Sequence, residues 1–321
     1  MPSYGACTAC QVRICRRPYD MRGAHGRFGR RRHGFANDSI MLTFFTTAKS
    51  FLGHDGIIQR NALKSWKALH PDIQIILFGD DEGAAEVCAE FGLRHEPTID
   101  RFEGKIPYVN SMFERAQQLA THDYLCYCNC DIILLDDFLM AFQKAKSWRR
   151  RFLAVGRRWD TDITQAVDFT DKRWAENLRR VALTQGTQMD DHWVDYFVFA
   201  KGMYDDMPRL IVGYCFWDNW MIWEARSSKI PVIDSTDFVV AIHQNHLYSA
   251  ESGRTKGNPR DARSLLNLDV IGTQEYLKQI DDSTHRLTKR RWIIRSWRPI
   301  QKKPWYIWLN MRFTRWRRKR P

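Results

Sequence analysis

Long apolar runs are missing from this sequence. None of its 321 residues belongs to a stretch that approaches the roughly 18 consecutive apolar residues of a membrane-spanning helix. No apolar segment of the secretory type follows the first residue either. We therefore expect a cytoplasmic protein that does not span a membrane. Its hydrophobic fraction of 44% is enough for one large core or two modest ones.

Acidic residues are missing from the C-terminal end. Residues 286–321 carry fourteen Lys and Arg and no Asp or Glu, and residues 1–34 carry eight Arg against one Asp. The formal charge of +13 therefore comes from the two ends, and a charge of this kind does not by itself indicate a nucleic-acid-binding domain. We expect a basic, unstructured extension at 1–38, one globular domain at 39–285 and a basic tail at 286–321.

The basic tail is also rich in tryptophan, and its indoles are interleaved with Lys and Arg: Trp292, Trp297, Trp305, Trp308 and Trp316. Indole prefers the membrane–water boundary and cations favour anionic headgroups, so the tail predicts peripheral binding to the inner face of a membrane. The alternatives are a solvated or packed tail, or stacking on single-stranded nucleic acid. No nucleic-acid motif accompanies the tail, so we expect no nucleic-acid partner.

A complete set of metal-binding cysteines is also missing. Cys7, Cys10 and Cys15 have partial zinc-like spacing without a second pair, which favours an unstructured end over a zinc site. Three further cysteines recur at every second residue of an apolar run, on one face of a predicted strand: Cys126, Cys128 and Cys130. This pattern is typical of small buried thiols in a reducing compartment.

From residue 40 onwards, apolar runs alternate with amphipathic segments. In the first half, this pattern predicts strands at 40–47, 73–78 and 124–128, and helices at about 55–69, 83–91 and 107–119. Alternation at this spacing is typical of a parallel, right-handed, Rossmann-like sheet. The second half is less regular, with strands at about 151–155, 193–199, 231–234 and 238–242, and helices at about 171–183 and 217–226.

Polar side chains follow several of these strands. Thr46 and Thr47 end the first strand, two aspartates follow the second, and Asn129-Cys130-Asp131 follows the third. In open α/β sheets, ligands bind at the edge where such strand ends meet. Asp131 offers hard oxygen to a divalent cation, which can neutralise a diphosphate. The alternative is a simple strand terminator, because Asn and Asp favour turns.

Taken together, these features resemble a bacterial GT-A-type glycosyltransferase in which Asn-x-Asp replaces Asp-x-Asp. The resemblance covers about residues 40–288 and is carried by six segments: Leu42–Thr47, Asn129–Ile132, Gly156–Trp159, Asp195–Phe199, Trp217–Trp220 and His243–His246. It implies an α/β fold, a GT-A Rossmann-like mixed sheet flanked by helices in a single catalytic domain. It also implies transfer of a sugar from a nucleoside-diphosphate sugar to a hydroxyl of a glycan or lipid-linked acceptor.

The resemblance further implies donor-binding residues at the carboxyl edge of the sheet. The expected set contains hydroxyls near the nucleotide, an acid near the base, an amide near the ribose or sugar, and cations near the phosphates: Thr46, Thr47, Asp80, Asp81, Asn129, Arg157 and Arg158. The alternatives are strand-end capping for the two threonines, a plain turn for the two aspartates, and a surface position for at least one arginine.

A metal site is implied as well. Asp131 would hold Mn²⁺ or Mg²⁺, with His243 as a second ligand and His246 nearby. Imidazole suits Mn²⁺ better than Mg²⁺. Because Asn129 carries no charge where the usual motif has an acid, we expect weaker metal binding.

For catalysis, the resemblance points to Asp218 as the base that takes the proton of the acceptor hydroxyl. Trp217 and Trp220 flank it with flat faces that suit sugar rings. Asp195 is the other candidate for the base and would shape the donor or acceptor site. One base in a direct displacement implies inversion at the anomeric carbon. The alternative for Asp218 is a helix N-cap.

Two other functions remain open. A sugar-phosphate nucleotidyltransferase would usually have a Gly-rich phosphate loop after the first strand, but residues 46–50 are not Gly-rich. The second is a non-catalytic membrane- or polyanion-binding protein on a transferase fold. The basic ends favour that function, whereas the presence of Asp131, Asp218 and His243 in one chain favours an enzyme.

Overall fold

The computed structural model describes residues 42–246 and 258–296. The chain divides into two units, Met1–Asp38 and Ser39–Pro321, and all described residues belong to the second. The expectations for residues 1–38 and for the tail beyond residue 296 lie outside the described residues.

The described residues form strands and helices in a mixed α/β order. The α-helices are α1 (Gly53–Leu69), α2 (Ala84–Phe91), α3 (Val109–Leu119), α4 (Asp136–Trp148), α5 (Trp174–Gln185), α6 (Trp217–Ser227) and α7 (Ala262–Ile271). The strands are β1 (Leu42–Thr47), β2 (Gln74–Phe78), β3 (Arg94–Glu96), β4 (Arg101–Phe102), β5 (Ile106–Pro107), β6 (Tyr124–Cys128), β7 (Ile132–Ile133), β8 (Leu153–Val155), β9 (Arg158–Thr161), β10 (Thr187–Gln188), β11 (Tyr196–Ala200), β12 (Val232–Asp234), β13 (Ala241–Gln244), β14 (His285–Leu287) and β15 (Ile293–Arg295).

Nine strands form the main sheet, in the order β15-β14-β12-β8-β11-β6-β1-β2-β3. Strands β3, β2, β1 and β6 run parallel, as the sequence pattern predicts for the first half. Strand β11 is antiparallel to both β6 and β8, so β8 runs in the same direction as β6. The sheet is therefore mixed, and helices flank it, as the predicted fold class requires.

The main sheet has an apolar core on each face. Consecutive strand residues point to opposite faces, so Phe44 packs with α1, α2 and α4 while Phe45 packs with α3, α6 and α7. The predicted cysteine face is buried on the first of these sides, and its thiols are free. Burial on both faces explains why β1 and β6 have near-continuous apolar sequences.

A second sheet, in the order β10-β9-β13-β7, carries or adjoins several of the candidate site residues. Strand β7 follows Asp131 directly and pairs antiparallel with β13, which carries His243. Buried Trp66 of α1 donates its indole N–H to Ile132 O at 2.9 Å and so anchors β7 against the core.

Several elements differ from the sequence pattern. Helices α4 and α7 are absent from the predicted elements. Strand β13 starts at Ala241 rather than 238, so that His243 lies inside it. The hairpin β14–β15 extends the main sheet to Arg295, ten residues beyond the predicted domain end at 285. Strands of three residues are too short to show a clear period.

In the described residues, no helix is long and apolar enough to cross a membrane.

Candidate metal centre and neighbouring carboxylates

Asp131 lies at the carboxyl end of β6 and faces two histidines. Its Oδ2 atom lies 3.5 Å from His243 Nε2 and 3.2 Å from His246 Nε2. One possible ligand atom from each of the three residues lies within 4.8 Å of the other two. The structure therefore brings together the two residues expected to be metal ligands and places His246 with them.

A buried glutamine holds these residues in place. Gln244, next to His243 in β13, donates its backbone N–H and its side-chain amide to Asp131 O at 3.2 and 3.1 Å. Its Oε1 accepts from Asn61 Nδ2 of α1 at 2.9 Å. The ring of His54 in α1 lies 3.0 Å from Asn245 O. Helix α1 thus supports the segment that carries both histidines.

The charges in this cluster stabilise one another. Burial opposes ionisation of Asp131, but His243 and His246 hold its pKa well below the usual range. Burial likewise disfavours the charged form of His243, yet Asp131 and Asp160 raise its pKa to about 9. The cluster therefore combines an ionised carboxylate with the His243 imidazole, which could exchange its proton for a cation.

The donor set fits a divalent cation. Asp131 Oδ1 is buried and has no hydrogen-bond partner in the described part of the chain. Ligand atoms about 2.1 Å from an ion are spaced by about 3.0–3.4 Å, close to the separations of the Asp131 and histidine atoms. A carboxylate with two imidazoles suits Mn²⁺ and other transition metals better than Mg²⁺, which prefers oxygen.

Asp160 is a member of this site that the sequence did not indicate. It lies in β9, directly opposite His243 in the parallel pairing of β9 with β13. Its Oδ1 atom lies 3.1 Å from His243 Nδ1 and accepts from Arg158 Nε at 2.7 Å. A carboxylate on the far nitrogen of a ligating imidazole orients the ring. No local motif marks Asp160, because only the strand register places it there.

Arg158 and Asp195 form a buried ion pair beside the metal centre. Arg158 NH1 donates to both carboxylate oxygens of Asp195 at 2.9 and 3.0 Å, and its guanidinium lies 4.8 Å from the Trp193 ring centroid. Both side chains are nearly inaccessible to solvent. The structure thus directs Arg158, expected near a phosphate, towards two carboxylates.

Asn129 joins this network through its side chain. Its Nδ2 donates to Asp195 Oδ1 at 2.7 Å, and its Oδ1 accepts from Tyr127 OH at 3.0 Å. Its backbone N–H also donates to Asp195 O at 2.9 Å, which extends the β6–β11 ladder by one residue. Asn129 therefore positions Asp195, whereas a role in binding the ribose or sugar stays a prediction.

Asp218 lies in the first turn of α6, as the sequence pattern predicts. Burial and the negative charge of Asp195 raise its pKa to about 7, although the Asn219 N–H donates to it at 2.9 Å. The residue before this helix, buried Phe216, has a φ of 88°, a left-handed conformation that phenylalanine rarely adopts. Backbone strain and a perturbed carboxyl pKa both tend to occur at functional sites.

The two tryptophans expected to bind an acceptor lie in the core. Trp217 is 5% exposed and packs edge-on against Tyr127, with ring centroids 5.3 Å apart. Trp220 is 6% exposed and lies near Trp223. In this conformation neither indole offers a free face to a sugar, because α6 packs both of them onto the sheet.

The expected base-binding aspartates interact with an arginine. Gly79 has a φ of 105°, a conformation that favours glycine, and the turn places both Asp80 and Asp81 against Arg101 NH2 at 2.8 and 3.0 Å. Next to this turn, Thr47 Oγ1 is buried without a hydrogen-bond partner in the described residues. A ligand at this edge of the sheet would meet that hydroxyl.

Thr46 and Arg157 are both engaged with the protein. The Thr46 hydroxyl donates to Thr47 O at 3.2 Å, and the side chain is fully buried. Arg157 NH2 donates to Asp281 Oδ1 at 2.7 Å. Their roles in donor binding therefore stay predictions.

Comparison with known proteins gives structural matches only. No family model and no curated protein matches the chain. Similar solved structures include S. aureus TarS 1–349 in complex with UDP-GlcNAc, with a TM-score of 0.45, 7% identity and coverage of 67% of this chain and 62% of that chain. A putative nucleotide-diphospho-sugar transferase from Desulfovibrio desulfuricans G20 has a TM-score of 0.40, 11% identity and coverage of 71% and 95%.

A third similar structure is M. tuberculosis glucosyl-3-phosphoglycerate synthase with Mn²⁺, UDP and glucosyl-3-phosphoglycerate, with a TM-score of 0.38, 9% identity and coverage of 68% and 76%. The same synthase was also solved with Mg²⁺ and UDP. The chain spans between 36% and 62% of the length of the TarS chains. One of these structures is a nucleotide-diphospho-sugar transferase by name, and the other two proteins were solved with UDP-GlcNAc or UDP. All of these TM-scores lie below 0.5, so the function of this chain is argued from its own residues.

Proposed function

We propose that this protein is a metal-assisted glycosyltransferase that uses a nucleoside-diphosphate sugar. The observation that carries the proposal is the convergence of Asp131, His243 and His246 at the carboxyl end of β6, with Asp131 Oδ1 left without a partner in the described residues. A Mn²⁺ or Mg²⁺ ion held there would neutralise the charge of a leaving diphosphate.

The residues around this cluster support a direct displacement. Asp218, with a pKa of about 7, suits a base that takes the proton of the acceptor hydroxyl. The acceptor oxygen forms a bond to the anomeric carbon as the bond to the diphosphate oxygen breaks, which inverts the configuration there. Asp195 raises the pKa of Asp218 and binds Asn129, two residues before Asp131, so one network reaches both sites.

The acceptor in this proposal is a hydroxyl of a glycan or of a lipid-linked intermediate. The basic, Trp-rich tail supports a peripheral position on an anionic membrane surface, where lipid-linked acceptors lie. A hexose is the proposed class of sugar.

Nucleotide binding tests the proposal directly. The thermal midpoint is measured with UDP, GDP, CDP and dTDP, each with and without Mn²⁺, for wild type, Asp131→Asn and the exposed control Asp206→Asn. A ligand at 100 times its dissociation constant stabilises the fold by about 2.7 kcal/mol. We expect a shift with one nucleotide that grows with Mn²⁺, is lost in Asp131→Asn and persists in Asp206→Asn. The absence of a shift with every nucleotide would contradict the proposal.

The non-catalytic alternative is favoured by one observation, the uncompensated positive charge of the ends. Donor hydrolysis separates the two functions. If wild type and Asp131→Asn are equally inert with all four classes of sugar donor while lipid binding persists, the protein is a binding protein on a transferase fold.

A further inference from the structure

A second group of side chains lies at the opposite edge of the main sheet from Asp131. An open cavity of about 850 Å³ is found where α4 and α6 end and β8 and β12 begin. Its polar wall is basic and contains no acid: Arg149, Arg150, Arg151 and Lys229. One cation at each helix end would suffice to complement the helix dipole, so four exposed cations exceed this structural need.

An adjoining cavity of about 400 Å³ continues the positive surface. It shares Arg149 and Lys229 with the first and adds Arg295 of the edge strand β15. Two acids line it, but each is neutralised: Asp281 by Arg157 at 2.7 Å, and Asp282 by Arg226 at 3.6 Å. Within 42–246 and 258–296, no carboxylate forms an ion pair with the arginines at 149–151, with Lys229 or with Arg295. The positive charge is therefore available to a partner.

Two exposed apolar side chains lie on the edge hairpin that also carries Arg295. Trp292 is 66% exposed and Ile294 is 39% exposed on the edge hairpin, which contacts the end of α4 through His285 and Trp148, with ring centroids 4.8 Å apart. Lys144 Nζ lies 6.0 Å from the Trp292 ring centroid. Indole and aliphatic groups mixed with cations suit a lipid interface, whereas a single-stranded nucleic acid would need stacked aromatic platforms and gains little from isoleucine.

We propose that this folded surface, formed by Arg149, Arg150, Arg151, Lys229 and Arg295 and named the basic edge surface, docks on an anionic lipid bilayer. The chain continues from Ser296 into residues 297–321, which contain nine Lys and Arg, four Trp and no acid. This segment begins beside the basic edge surface, so both can bind the same bilayer. The proposal does not depend on sugar transfer.

The proposal has a geometric consequence for the metal centre. Strands β6 and β8 run in the same direction, and the basic edge surface lies at the amino end of β8 while Asp131 follows the carboxyl end of β6. A protein docked through this surface turns Asp131 away from the lipid. Its acceptor would then be a chain that extends from the membrane rather than a group at the headgroups.

The test compares two charge-matched triple variants of the full chain. Arg149→Gln/Arg150→Gln/Arg151→Gln removes three cations from the basic edge surface, and Lys64→Gln/Lys105→Gln/Lys172→Gln removes three exposed cations elsewhere. Binding to vesicles of phosphatidylcholine with 30% phosphatidylglycerol is measured by co-sedimentation. Each Lys or Arg near an anionic surface contributes about 1 kcal/mol, and every 1.4 kcal/mol is tenfold, so we expect roughly hundredfold weaker binding in the arginine variant. The lysine variant should bind almost as wild type does.

A second variant keeps the test decisive if the triple arginine variant does not fold. Lys229→Gln/Arg295→Gln removes two other exposed cations of the basic edge surface and should weaken vesicle binding roughly 30-fold without changing the thermal midpoint. Nucleotide and Mn²⁺ binding should be unchanged in all variants, which separates failure of this proposal from failure of the proposed enzymatic function. Equal vesicle affinity in wild type, the arginine variant and Lys229→Gln/Arg295→Gln would overturn the proposal. Tighter binding of wild type to a single-stranded oligonucleotide than to vesicles would also overturn it.

Discussion

The Asp160 side chain interacts with two other residues of the candidate site. It contacts His243 Nδ1 and Arg158 Nε, and so connects the candidate metal centre to the ion pair with Asp195. Its position opposite His243 leaves the other ring nitrogen, Nε2, facing Asp131. We infer that Asp160 is a positioning residue whose effect passes through the imidazole.

Replacing Asp160 tests this role. We expect Asp160→Asn to weaken Mn²⁺ binding by about 10- to 100-fold. Without the carboxylate, the His243 ring would be less basic and would no longer be held in its orientation. Isothermal titration with Mn²⁺ gives the affinity, with Asp206→Asn as the matched control. Unchanged Mn²⁺ affinity in Asp160→Asn would show that the contact with His243 has no influence on the metal.

We expect Asp218 to affect the catalytic rate and not the binding of the nucleotide. Asp218→Asn should lower kcat by about 10²- to 10⁴-fold while leaving the nucleotide-dependent thermal shift intact, since it removes only the base. A base acts when deprotonated, so the wild-type rate should rise tenfold per pH unit below about pH 7 and level off above it. Glu224→Gln in the same helix is the control. A flat pH profile between 5 and 8 would argue against this role.

The same raised pKa predicts an effect of Asp218 on stability. The folded pKa of about 7 exceeds the unfolded value of about 4, so stability from this group is fully present below pH 4 and is lost as pH rises through 7. We therefore expect Asp218→Asn to raise the thermal midpoint by a few degrees at pH 8 but not at pH 4. Equal midpoints of variant and wild type at pH 8 would mean that the carboxyl ionises without cost.

At the scale of secondary-structure elements, the junction of β6 and β11 explains the Asn-x-Asp motif. The Asn129 amide donates to Asp195 Oδ1 at 2.7 Å and accepts from Tyr127 OH, so it needs both a donor and an acceptor. An aspartate has no donor when ionised. The amide is thus required by the partner strand, which the sequence alone does not reveal.

This explanation makes an unusual prediction for Asn129→Asp, which restores the Asp-x-Asp pattern. Two carboxylates would face each other at hydrogen-bond distance in a poorly solvated site, so we expect a loss of about 1–3 kcal/mol in the free energy of unfolding and no gain in Mn²⁺ affinity. Urea unfolding and Mn²⁺ titration measure the two quantities, with Gln143→Glu as a control on an exposed amide far from the site in sequence. Tighter Mn²⁺ binding with unchanged stability would instead favour a direct metal role for position 129.

The elements themselves could be predicted to different extents. Strand β6 is a near-continuous apolar run and helix α1 has a strong apolar period, and the structure confirms both elements. Helix α4 was missed because it follows β7 after only two residues, with no turn residue such as Gly or Pro to mark its start. Strands β14 and β15 have three residues each and take their stability from pairing rather than from a local pattern.

At the scale of the whole molecule, one aromatic cluster in the core connects the stability of the fold to the residues around Asp195. Phe113 of α3 stacks on Tyr127 and Phe199 with centroid distances of 5.6 and 5.5 Å, and lies edge-on to Phe45 at 4.8 Å. Tyr127 in turn donates to Asn129. Packing in this region therefore reaches the residues that position Asp195.

Truncation of Phe113 should accordingly affect the entire domain. We expect Phe113→Ala to cost about 3–5 kcal/mol in the free energy of unfolding, because it opens a cavity in a fully buried aromatic cluster. Leu183→Ala, at a side chain that is 49% exposed, should change it by less than about 0.5 kcal/mol. Urea unfolding followed by circular dichroism measures both. A small effect of Phe113→Ala would show that the cluster collapses around the missing ring.

The sequence by itself determined the alternation of buried strands and amphipathic helices, the parallel first half of the sheet, and the position of Asp131 after β6. These are local properties, encoded in hydrophobic period and turn residues within a few positions of one another. Only the tertiary structure decided that Asp160 faces His243, that Asn129 and Arg158 bind Asp195, and that Trp217 and Trp220 belong to the core. Those contacts join residues far apart in the chain, and strand register and helix packing, rather than local pattern, set which side chains meet.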